Sequence, residues 1–230
     1  MNTEQTAMLQ RRASVHAALA DVTRLRIVDL LAVSDRSAGE LGASLGIASN
    51  LLAHHLRALE SADLVTRRRS EGDARRSYLS LNAHDEWLLR ETAGNDGAVR
   101  ASRVVFVCTA NTARSHLAAA AWRRVSPVPA SSAGTHPGDR IHDGAIAAAQ
   151  RHGLRLPDVA PVALGPDDGA HDLVVTVCDR AHEDLDGRDW AHWSVPDPVP
   201  HGGAAAFDAV YEEVAARAAR LAGRVSATAS

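Results

Sequence analysis

The chain has 230 residues, long for one compact domain and enough for two. It is 46% hydrophobic and 23% charged with a formal net charge of -3, which excludes a bulk polycation, so contact with nucleic acid must come from a local patch. Two cysteines, Cys108 and Cys178, exclude a disulfide scaffold. The N-terminal MNTEQTAMLQRR has no apolar signal segment, and no apolar run approaches the ~20 residues that span a bilayer, so a cytoplasmic protein without membrane contact is expected.

Residues 10–92 are dominated by helical spacing. ASVHAALADVTRLRIVDLLAV places Leu19, Leu25, Ile27, Leu30 and Leu31 near the three-to-four repeat of a buried helix face. SAGELGASLGI sets Leu41 and Leu45 four apart and then stops at Gly46. ASNLLAHHLRALESADLV repeats the pattern with Leu52, Leu56 and Leu59, and Ser49 is the expected N-cap. LVTRRRSEGDARRSYLSL changes to alternation around Gly72 and Asp73, which predicts a hairpin with an arginine-rich tip. Helix, helix, short glycine turn, helix and basic hairpin make a mainly α winged helix-turn-helix of residues 1–92. The small, polar ETAGNDGAVRAS is read as linker, placed at 93–102.

With Leu52, Leu56 and Leu59 inward, the opposite helix face presents Ser49, Asn50, Ala53, His54 and Arg57. Asn and Arg suit bidentate contacts to adenine and guanine. Arg67, Arg68, Arg69, Arg75 and Arg76 suit phosphates. The expected partner is a double-stranded DNA operator, although a helical protein-interaction domain with a solvated basic hairpin fits the same spacing. His54 and His55 are adjacent, face different sides of the helix and make a poor metal pair, so no metal site is predicted.

ALADVTRLRIVDLL through SADLVTRRR, within about residues 14–82, closely resembles the arsenic-responsive repressor family of the ArsR/SmtB type. The resemblance implies a homodimer, joined through this domain, that represses by binding palindromic operators. Many arsenic sensors of that family carry a Cys-x-Cys pair on the helix before the turn. Here SDRSAGEL occupies that place and holds no thiol.

From 103 to 230 the rhythm is α/β. RVVFVC, PASSAG and HDLVVTVC read as strands; RSHLAAAAWRRV, DGAIAAAQRHGL (stopped by Gly153) and AAAFDAVYEEVAARAARLAGRV read as helices. Such alternation predicts a parallel sheet covered by helices. Between the first strand and the first helix runs Cys108-Thr109-Ala110-Asn111-Thr112-Ala113-Arg114-Ser115. So short a loop can curl its backbone N–H groups from Thr109 to Arg114 onto one point, and the helix dipole adds to them, making an anion site. The same potential favours a thiolate at Cys108. Arg114 adds a planar fork for two oxygens of a tetrahedral oxyanion, arsenate or phosphate. Ser115 can donate to the sulfur, and Asn111 tolerates a left-handed backbone. A buried structural cysteine with a surface arginine is the bland reading of the same pair.

VFVCTANTARS, with SSAGTH at Ser132, Ala133 and Gly134 and with VPDPVPHGGAAAFDAVYEEV, resembles the low-molecular-weight tyrosine phosphatases and the arsenate reductases of the same fold, over about 103–224. The resemblance implies a parallel four-stranded sheet, Cys108 as nucleophile with Arg114 and Ser115, and Asp197 as general acid. Two features divide the substrates. The phosphatases commonly follow Asp-Pro with tyrosines that pack on an aryl ring, where this chain has Val199 and Pro200. VTVC, ending at Cys178, resembles the reductases, whereas Asp179-Arg180 resembles the phosphatases.

The expected activity is arsenate reduction: Cys108 attacks arsenic, and a second thiol attacks the Cys108 sulfur and expels arsenite. Cys178 is either that thiol or an inert strand residue. No bound cofactor is expected. The reductant is mycothiol, glutathione or a thioredoxin- or glutaredoxin-type partner. A phosphotyrosine or phosphoester phosphatase and a non-catalytic oxyanion-sensing repressor are the alternatives.

Overall fold

A computed structural model describes residues 2–82, 99–166, 168 and 172–228. The chain divides into two compact units, Met1–Arg69 with Arg75–Gly94, and Ser70–Ala74 with Asn95–Ser230. The predicted end of the first domain at 92 and the first part of the predicted linker lie outside the described residues.

The first unit is mainly helical: α1 (Thr3–Leu19), α2 (Val22–Val33), β1 (Arg36–Ser37), α3 (Ala38–Leu45), α4 (Ser49–Ser61), β2 (Val65–Arg69) and β3 (Ser77–Leu81). The long leucine pattern predicted as one helical run is two helices. Asp21 accepts the Arg24 N–H at 3.0 Å as the N-cap of α2 and breaks the run there. The break resets the helix phase, so Ile27, Val28 and Leu31 are buried while Leu25, predicted to face inward, is 44% exposed. Ser37 and Glu40 form a capping box at the start of α3, and Gly46 ends it at φ 65. The expected N-cap at Ser49 is displaced by one residue. The Ala48 carbonyl takes the first helical bond, from Leu52, so Ala48 is the cap and Ser49 the first helical residue. β1, β3 and β2 form an antiparallel sheet, and Leu41, Leu52, Leu56, Leu59, Leu64 and Leu79 close the core.

The second unit contains β4 (Val99–Ala101), β5 (Val104–Cys108), α5 (Arg114–Val125), β6 (Ala130–Gly134), α6 (Asp143–Arg151), β7 (Leu173–Thr176), α7 (Asp179–Leu185), β8 (Ala191–His192), α8 (Pro198–His201), α9 (Gly203–Ala222) and β9 (Val225–Ala227). The predicted linker is corrected at its end: Val99–Ala101 is a strand paired in parallel with Val225–Ala227. Val99 and Ala101 alternate with Arg100, a pattern hidden in a small, polar stretch. The main sheet is parallel with order β6-β5-β7-β8. All five residues of β5 are buried, as an inner parallel strand requires. Ala118–Ala121 on α5 are at most 3% exposed, and their small side chains let α5 pack against both the sheet and α9.

From β5 the chain crosses to β6 on one side and then to β7 on the other. The crevice beyond the carboxyl ends of β5 and β7 is therefore a topological switch point, where open parallel sheets bind ligands. Cys108 ends β5, and Cys178 lies two residues beyond β7. Among the described residues no helix is long and apolar enough to cross a membrane.

Candidate active site and nucleic-acid interface

The loop after β5 is shaped by its carbonyls. Those of Cys108, Thr109, Ala110 and Thr112 accept the N–H groups of Thr135, His136, Gly138 and His142 at 2.8–3.1 Å. In a trans peptide, C=O and the following N–H point in opposite directions. Turning these carbonyls outward therefore turns the amides of Thr109, Ala110, Asn111 and Ala113 inward. Two of them mark the centre: Asn111 N–H donates to Cys108 Sγ, and Thr109 N–H to Cys178 Sγ, each at 3.2 Å. Asn111 takes the left-handed φ of 52 that its position predicts. Its side chain accepts from Val162 N–H at 2.9 Å and donates to Ser115 Oγ at 2.8 Å. Ser115, accepting there, has its own proton for Cys108 Sγ at 3.2 Å.

Arg114 begins α5, 9% exposed. Its Nη1 donates to the Val195 carbonyl at 3.0 Å, and its Nη2 lies 3.3 Å from Asp197 Oδ2. Burial opposes its charge, but the Cys178 sulfur, Asp197 and Cys108 outweigh burial and raise its pKa. Asp197 caps α8 by accepting the Val199 N–H at 3.1 Å. Cys178 Sγ also lies 3.4 Å from Thr109 Oγ1, and burial pushes this thiol up to about 11. Cys108, Thr109, Ala110, Thr112, Ala113, Arg114, Cys178 and Asp197 all line one cavity of about 600 Å³, with Asn111 and Ser115 buried beneath. Val199, Pro200, His201 and Arg180 also line it. The arrangement offers a sulfur nucleophile, a ring of donors, a guanidinium, a carboxyl group and a second thiol.

Residues 103–230 match the family model of the low molecular weight phosphotyrosine protein phosphatases. The chain belongs to that family. Residues 21–67 match the model of bacterial regulatory proteins of the arsR family, so this phosphatase-family chain also carries an ArsR-type DNA-binding domain. Similar solved structures include a mutant of YwlE from Bacillus subtilis, 20% identical, covering 52% of this chain and 95% of that one with a TM-score of 0.48. The arsenate reductase from Archaeoglobus fulgidus DSM 4304 is 25% identical, over 52% of this chain and 98% of its own, with a TM-score of 0.44. The tyrosine phosphatase Wzb from Escherichia coli K30 in complex with sulphate is 22% identical, over 53% and 96%, with a TM-score of 0.48. No curated protein matches the chain.

In the DNA-binding domain Ser49, Asn50, His54 and Arg57 are exposed on α4 and Ala53 is half-buried. His55 turns inward, 3.5 Å from Asp21 Oδ1. Arg67, Arg68 and Arg69 are exposed on β2, with Arg67 Nε held by Glu60 Oε1 at 3.1 Å, and Arg75 and Arg76 are exposed before β3.

Sequence reasoning missed three parts of the phosphatase-family site, one of them Glu71, which lines the cavity and accepts from Arg114 Nη1 at 3.2 Å. Another is the 135–142 segment that turns the loop carbonyls; its Pro137 and Gly138 carry no local sign of that contact. The third is a buried polar group, Thr176, Asp179, His182, Asp189 and His192, behind the cavity. Its residues come from β7, α7, β8 and the segment between α7 and β8, and no sequence pattern joins them.

Proposed function

We propose that this chain is a DNA-binding regulator of the ArsR type fused to an arsenate reductase. The observation that carries the reading is the bond from Thr109 N–H to Cys178 Sγ at 3.2 Å: the loop that holds the Cys108 nucleophile also holds a second thiol. Arsenate takes the inward amides and the Arg114 fork. The Cys108 thiolate forms a bond to arsenic, and the departing hydroxide leaves as water with the proton of Asp197. The Cys178 thiol then gives its proton to the departing arsenite as its sulfur attacks Cys108 Sγ. The S–As electron pair goes to arsenic, reducing As(V) to As(III), and arsenite leaves with that proton as the disulfide forms. A small thiol or a thioredoxin-type dithiol supplies the two electrons that restore both thiols.

The DNA-binding domain reads a double-stranded operator through α4 and grips phosphates with its arginine hairpin. Exposed Met8, Leu9, Val22 and Leu25 give it apolar surface for a homodimer. Phosphoester hydrolysis is the second reading, supported by Asp197 beside Arg114, because that reaction needs one thiol and one acid.

The test supplies arsenate and each reductant class to the purified full-length protein and measures arsenite, beside hydrolysis of an aryl phosphate. Arsenite formation lost in Cys108→Ser and Cys178→Ser supports the proposal. Aryl-phosphate turnover without arsenite replaces it with the second reading. DNA release on oxyanion addition, with neither turnover, replaces it with a non-catalytic sensor.

A further inference from the structure

Behind the cavity, polar side chains form one buried chain. Thr176 Oγ1 lies 2.5 Å from Asp189 Oδ2 and 3.0 Å from His192 Nδ1. His182 Nδ1 lies 2.7 Å from the same Asp189 oxygen, and His192 Nε2 lies 3.1 Å from Asp179 Oδ1. Thr176, Asp179 and His192 are at most 3% exposed.

His182, Asp189 and His192 have donor atoms within 4.8 Å of one another, as metal ligands do. Their geometry points elsewhere. The two imidazoles stack with centroids 4.2 Å apart and 10° between planes. An imidazole nitrogen binds a metal along its lone pair, in its own ring plane, and two stacked planes do not meet on one ion.

Thr176 Oγ1 donates to Asp189 Oδ2 and lies against His192 Nδ1, so one hydroxyl ties the imidazole to that carboxylate. Asp179, although buried, is held below its ordinary range, with His192 the leading partner, and its carboxylate accepts from Nε2–H. The His192 ring stands between the Asp179 carboxylate and the Thr176 hydroxyl.

The chain ends at the catalytic machinery. Asp179 lines the cavity. His192 ends β8, and three residues later the Val195 carbonyl accepts from Arg114 Nη1. We infer that His192 is a positioning residue for the oxyanion bowl: bonded to Asp179 and Thr176 at once, it fixes the 193–195 segment whose Val195 carbonyl aims the Arg114 fork. The inference rests on the bowl binding an oxyanion, and holds for either chemistry.

The experiment is a double-mutant cycle on the full-length protein, with inorganic phosphate as the probe. His192→Gln, which keeps one donor, is expected to weaken phosphate binding about tenfold, the cost of one misdirected charge-assisted bond. In an Arg114→Ala background the same change is expected to have little further effect. Asp189→Asn serves as a second variant should His192→Gln fail to fold. Nitrogen NMR of the wild type is expected to show the His192 ring signals perturbed on phosphate addition. Additive losses in the cycle, or His192 ring signals indifferent to phosphate, overturn the inference alone. A wild type that binds neither phosphate nor arsenate overturns the oxyanion reading and this inference with it.

Discussion

Thr109 and Cys178 are 69 residues apart in sequence, yet the Thr109 N–H lies 3.2 Å from the Cys178 sulfur. The contact follows from strand order, since β5 and β7 are neighbours whose chain ends open at the same crevice. Cys178→Ser is therefore expected to lower arsenite formation at least about 100-fold, while phosphate affinity stays within about twofold. Cys108→Ser is expected to abolish arsenite formation and aryl-phosphate hydrolysis alike. Parallel reductase and hydrolysis assays on the two variants check this.

The Cys178 thiol also predicts alkaline lability. Its pKa rises from 9.0 to about 11 in the folded chain, chiefly through burial. Above pH 9 the unfolded thiol loses its proton while the folded one keeps it, so stability is full below about 9 and falls as pH rises toward 11. The loss is on the order of 2–3 kcal/mol. Urea titrations from pH 8 to 11 are expected to show a smaller slope in Cys178→Ala than in the wild type.

Acid acts in the opposite sense through Asp179. Its folded pKa lies below the ordinary 3.8, because hydrogen bonds, led by those from His192 and a backbone amide, together outweigh burial. The stabilisation is present above that value and lost as pH falls through the lower folded one. Asp179→Asn is expected to flatten the acid limb below pH ~4 in the same titrations.

Gly134 packs under the loop. A Cβ there would meet the Thr109 carbonyl oxygen at 2.7 Å and the Asn111 nitrogen at 3.1 Å. Backbone atoms that close must shift, and they are the atoms that shape the bowl. Gly134→Ala is expected to weaken phosphate binding by about tenfold or more, with a lowered melting temperature. Calorimetry of phosphate binding and of unfolding checks both.

On the DNA-binding domain, Arg57 is exposed on the outer face of α4, opposite the buried Leu52, Leu56 and Leu59. Arg57→Ala is expected to cost about 1–3 kcal/mol of binding to a duplex selected by the protein from random sequence, and to relax preference at one position. Arg75→Ala is expected to weaken binding evenly across sequences and to lower the salt slope by about one. Fluorescence anisotropy at several salt concentrations separates the two effects.

Much of the molecule was legible in order along the chain. The leucine repeats of α3 and α4 report burial with a 3.6-residue period, and the apolar run of β5 reports an inner parallel strand. The loop from Cys108 to Ser115 was legible because its chemistry is local: sulfur, amides, guanidinium and hydroxyl lie within eight consecutive residues. Local signals failed where a cap decided the matter. Asp21 splits one leucine pattern into two helices and leaves Leu25 outside, and the first helical bond at Ala48 displaces Ser49 from the cap.

The sequence by itself determined two units of different rhythm, a recognition helix with an exposed polar face, and one reactive loop. Only the tertiary structure decided that Cys178 faces the same cavity as Cys108, that Val99–Ala101 is a strand, and that His192 stands between Asp179 and Thr176. The reason is range. Side-chain periodicity and loop chemistry are written in neighbouring residues, whereas strand order in a parallel sheet is set by crossovers tens of residues long and brings together groups that no local pattern connects.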